Sequence, residues 1–89
     1  MANKRTLKHA INLICGELFT EAVAASLYGN EQHESNADAL LFSIVKMQAS
    51  FISRVSHPEP GMSARTYYKD LREKFAAEVS DIADHINQL

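Results

Sequence analysis

The 89-residue chain has one cysteine, no tryptophan, three glycines and two prolines. A lone Cys15 excludes a disulfide within the chain, and a single thiol in an apolar stretch suits a reducing compartment. The glycines are isolated, so there is no glycine-rich loop to cradle a phosphate. No cysteine cluster exists, and no two of the four histidines have the i, i+4 spacing of a zinc-binding helix. Charge of one sign is lacking too: nine Lys and Arg against eleven Asp and Glu leave a net charge of −2 and an isoelectric point near 6.0. No global field therefore draws nucleic acid or an anionic membrane. Nothing approaches the roughly 20 apolar residues of a membrane span.

The basic start, Lys4, Arg5 and Lys8, followed by residues 10–16, has the outline of an export signal. Asn12 interrupts the apolar run and Glu17 ends it. Ile14 before Cys15 is too large for a lipoprotein cleavage site. The expected location is the cytoplasm.

What remains is helical pattern. A chain this short buries roughly 60–65% of its unfolded surface, enough for one core, so residues 1–89 are read as a single domain. Residues 3–28 form the first predicted helix, with Asn3 as N-cap and Gly29-Asn30 as its stop. At about 100° per residue, Leu7, Ile11, Ile14, Leu18, Ala22 and Ala25 fall on one face. A second row, Phe19, Val23 and Leu27, lies on the flank. Gly16, one turn earlier, suggests close approach by another helix. Ser35-Asn36-Ala37-Asp38 matches a capping box and opens a second helix over residues 36–55. Its core face is Leu40, Ile44, Met47, Phe51 and Val55. Leu41, Phe42, Val45, Ala49 and Ile52 widen the apolar arc beyond half the circumference. Ser43, Lys46, Ser50, Ser53 and Arg54 form its polar strip.

Pro58, Pro60 and Gly61 break the pattern. Ser63 then caps a third helix over residues 63–88, whose single stripe is Tyr68, Leu71, Phe75, Val79, Ile82, Ile86 and Leu89. Connections of about six residues join antiparallel neighbours. The expected fold is all-α: an up-down-up antiparallel three-helix bundle.

One helix with one stripe cannot cover the apolar surface of the other two. Phe19, Val23, Leu27, Phe42, Val45 and Ile52 are left over, and an exposed apolar patch of this kind marks an interaction surface. The reading is a non-catalytic protein–protein interaction module that forms a homodimer, or meets a helical protein partner, through its first two helices. No cofactor, membrane or nucleic-acid partner is expected.

The alternative is a ligand- or metal-binding bundle. Glu17 and Glu21 stand one turn apart, and Glu78, Asp81 and His85 share a face at i, i+3, i+7. Di-iron bundles need Glu-x-x-His ligands as well, and none occurs. A salt bridge between Glu21 and Lys46 is the plainer expectation for that carboxylate. His9 beside Lys8 is the one candidate for a phosphotransfer histidine, on a chain short for such a domain. Cys15 has no activating base near it in sequence, so it reads as a structural thiol. Three basic residues at the start are too few to argue for DNA.

Overall fold

A computed structural model describes residues 4–28 and 34–88. They form three helices, α1 (Lys4–Tyr28), α2 (Glu34–Ser56) and α3 (Ala64–Asn87). They pack as an up-down-up antiparallel bundle with no strand among the described residues. The helix limits lie within two residues of those read from periodicity. Asn3 and Gly29-Asn30 lie outside the described residues.

The core follows the predicted stripes of α2 and α3 in the main, while on α1 it takes in Cys15, which was outside the stripe, and leaves Leu7, Ile14 and Ala25 half-buried. Ile11, Cys15, Leu18 and Ala22 of α1 meet Ile44, Met47, Phe51 and Val55 of α2, and Leu71, Phe75, Ile82 and Ile86 of α3 close the cluster. Phe51 and Phe75 join the two sides edge to face, with ring centroids 5.1 Å apart, the geometry that aromatic quadrupoles favour. No polar or charged side chain among the described residues is buried. The α1–α2 contact is the most extensive of the three. Gln48 Nε2 donates to Asn12 Oδ1 at 2.8 Å across it, which marks the register of the pair.

That register corrects one expectation. With Asn12 level with Gln48 in an antiparallel pair, Lys46 comes level with Ile14, about two turns from Glu21. Lys46 Nζ instead lies 5.5 Å from the centre of the Phe42 ring. The ion pair among the described residues is Lys74–Asp70 at 2.9 Å, one turn apart on α3. α2 begins at Glu34, and the side chain of Ser35, on which the expected capping box rests, lies outside what is described.

The corner between α2 and α3 is built as the sequence implies. Ser63 has extended backbone angles, φ −66° and ψ 148°, and its Oγ accepts from the Thr66 N–H at 3.2 Å. The end of α2 leaves carbonyls without helical partners, and the corner supplies donors for them. The single Tyr67 Oη proton is shared between the carbonyls of Arg54 (2.8 Å) and His57 (3.2 Å), the nearer being the main acceptor. Tyr68 Oη donates to Val55 at 3.0 Å, and His57 Nδ1 donates to Ser53 at 2.8 Å.

Candidate functional site

α3 lies against one side of the α1–α2 pair. A groove on that side is lined by Leu7, Ile11 and Ile14 of α1 with Leu71 and Phe75 of α3. A second is lined by Leu40 and Met47 of α2 with Ile82 of α3. The opposite side of the pair has no helix on it. Asn12, Gly16, Phe19, Val23 and Leu27 follow one another there at i, i+4, i+7, i+11 and i+15. On α2, Leu41, Val45, Gln48 and Ile52 share the face that reaches Asn12 through Gln48.

This outer side holds most of the exposed apolar surface. Phe19 is 38% exposed, Val45 51%, Phe42 64% and Leu27 76%. Val23 and Ile52 are half-buried, and Ile52 also packs against the core. Four of the six residues expected at an interaction surface are therefore open to solvent, and two form its inner edge. Leu13, 57% exposed, borders the same region and was not singled out from the sequence. Its signal was available: it precedes Thr20 and Leu27 by seven and fourteen residues, on the side of α1 away from Leu18. Tyr28 at the end of α1 and Met62 in the corner add isolated exposed apolar area.

Gly16 stands in the middle of this side. A Cβ built there would meet nothing within 4 Å. The close approach that its presence suggested is therefore not made by any helix of this chain.

The other candidates are dispersed. Glu78, Asp81 and His85 line an open groove of about 640 Å³ between α2 and α3, with Asn36 and Ser43 on its other wall and Leu40, Met47 and Ile82 as its apolar part. Glu17 and Glu21 edge a shallow depression with Asn12, Leu13, Gly16 and Thr20. Among the described residues no three His, Cys, Asp or Glu side chains converge as a metal ion would need. Cys15 is 1% exposed, and burial pushes its thiol pKa above the ordinary value. The thiolate needed for nucleophilic chemistry is thereby disfavoured. His9 is exposed near the start of α1.

Against the expectation that nothing in the chain approaches a membrane span, α1 is by length and composition alone long and apolar enough to cross a membrane. It also carries Glu17 and Glu21 in its length and supplies four buried residues to the core. Comparison with protein-family models, curated proteins and solved structures finds no match to this chain.

Proposed function

We propose that this chain is a small cytoplasmic, non-catalytic protein–protein interaction module that self-associates through the outer side of α1 and α2. One observation carries the reading: Phe19, Leu27, Phe42 and Val45 stand open to solvent on the side of the helix pair that α3 leaves bare. Single exposed apolar residues are normal on a protein surface, whereas several on one side of a helix pair suit a contact surface. Two-fold dimers are the commonest way for one chain to cover such a patch. Burial of α1 core residues against α2 and α3 supports a role for α1 inside a bundle.

Sedimentation tests the reading directly. The expected result is a dimer at micromolar concentration that Val23→Glu or Val45→Glu converts to a helical monomer. A chain that stays monomeric at high micromolar concentration overturns it.

A second reading rests on the α2–α3 groove, where Glu78, Asp81 and His85 face Asn36 and Ser43 over an apolar floor. A bound cationic organic ligand there would stabilise the fold by mass action. That reading requires a melting temperature that rises with an added organic amine and does not move with a neutral analogue.

A further inference from the structure

The bare side of α1 and α2 runs along a bundle whose charge is sorted by end. Lys4, Arg5 and Lys8 open α1, and Arg54 lies in the last turn of α2. Arg65, Lys69, Arg72 and Lys74 occupy the first half of α3. The up-down-up path brings all of these to one end. Between Lys8 and Lys46, and again after Lys74, the chain has no Lys or Arg. Those stretches carry Glu17, Glu21, Asp38, Glu78, Asp81 and Asp84, which occupy the other half of the bundle. Glu59, Asp70 and Glu73 offset the basic end in part, and Asp70 is already paired with Lys74. Lys46 sits between the two halves over Phe42.

This polarity chooses between two arrangements. A two-fold axis along the bundle would set basic end against basic end and acidic against acidic. A two-fold axis across the bundle sets each basic end over an acidic one. Like charges brought together disfavour the first, and electrostatic complementarity steers and registers the second. The apolar face is on the order of 30 Å along the helices and about 20 Å wide, the second dimension of the bundle. Two such faces bury roughly 1,200 Å², the lower edge of a stable interface. At that size the charges of α1 and α2 that border the face, Lys4, Arg5 and Lys8 at one end and Glu17, Glu21 and Asp38 towards the other, favour the second arrangement.

We propose that two copies pack antiparallel across the outer side of α1 and α2, each basic end over the acidic end of the other. This rests on the self-association reading and gives it an orientation. α1 of one copy then crosses α1 of the other near the level of Gly16 and Val45. The open space over Gly16 is what lets the two backbones come close there.

Zero-length carbodiimide cross-linking of mixed isotope-labelled and unlabelled copies tests the arrangement, with sedimentation run in parallel. Within one chain Lys8 and Glu21 are about 20 Å apart along α1, beyond the reach of the reagent. The expected result is hybrid-mass cross-links joining Lys4 or Lys8 to Glu17, Glu21 or Asp38. The dimer should also weaken at least about tenfold between about 50 mM and about 500 mM salt, as screening shortens. A dimer without those cross-links, or one indifferent to salt, overturns the antiparallel arrangement and leaves self-association standing. A monomer under all conditions overturns both.

Discussion

Cys15 sits between Ile11 and Leu18 on the buried face of α1, and its environment is apolar. Its pKa is raised by burial alone, so the folded state holds the proton more tightly than the unfolded chain. The sign follows from linkage. Above about pH 8.5 the unfolded thiol loses its proton while the folded one keeps it, so stability falls as pH rises through that window. Cys15→Ala should flatten this part of the stability–pH curve relative to the parent chain, in matched urea titrations at neutral and alkaline pH. In the folded protein a maleimide should leave Cys15 unmodified over minutes and label it fully in denaturant. Gly16, its neighbour, calls for the opposite treatment. A methyl group there meets nothing within 4 Å, and Ala is better than Gly in a helix interior by up to about 1 kcal/mol. Gly16→Ala should therefore raise the melting temperature of the dilute chain. That glycine shows where reading a sequence stops. Its cost to the helix is visible in the sequence, but what approaches it depends on which side of α1 the other helices occupy.

The three helices were legible because each carries a strong period and the break at Pro58, Pro60 and Gly61 is local chemistry. Ser63 was legible for the same reason, since an N-cap needs only its own next few residues. Ser63→Ala removes the acceptor for the Thr66 N–H and should cost about 0.5–2 kcal/mol in chemical denaturation. The other half of that corner was not legible. Tyr68 read as a stripe residue and Tyr67 carried no expectation, yet their hydroxyls reach the carbonyls at the end of α2, a tie between elements that periodicity cannot show. Tyr68→Phe keeps the ring and loses that bond, and should cost about 1 kcal/mol. The pairing of Glu21 with Lys46 failed for a related reason. Register between helices is set by side chains that let them approach, here the buried Ala22 of α1 and Ala37 of α2, 0% and 2% exposed. They come level in the register that Asn12 and Gln48 mark. Of the six expected surface residues, the exposed ones were predictable from apolar surplus. Ile52 was not, because it lies where the stripe and the flank meet and it packs partly inward.

At the scale of the molecule the surplus becomes a surface excess. The chain exposes 6298 Å², where a folded monomer of 9.9 kDa is expected to expose roughly 5,200 Å² by mass scaling. Its radius of gyration is 14.7 Å, against about 12 Å for a compact domain of this length. A bundle 47 Å long and about 20 Å across is far from spherical, which raises both values, and a second copy on the bare flank would bring the exposure per chain back toward the usual figure. Folding and association are then coupled, so the melting temperature must depend on protein concentration. With an unfolding enthalpy of about 0.7 kcal/mol per residue, summed over two chains, a tenfold rise in concentration should raise the melting temperature by about 4 °C. Val45→Glu places a carboxylate in the middle of the face, where a dimer would have to desolvate it. The variant should melt at a lower temperature that no longer moves with concentration, while its helical circular dichroism at low temperature matches the parent. Because Val45 is half open to solvent in the single chain, the substitution costs the monomer little. The difference between the two melting series therefore isolates the contact between copies from the core beneath it.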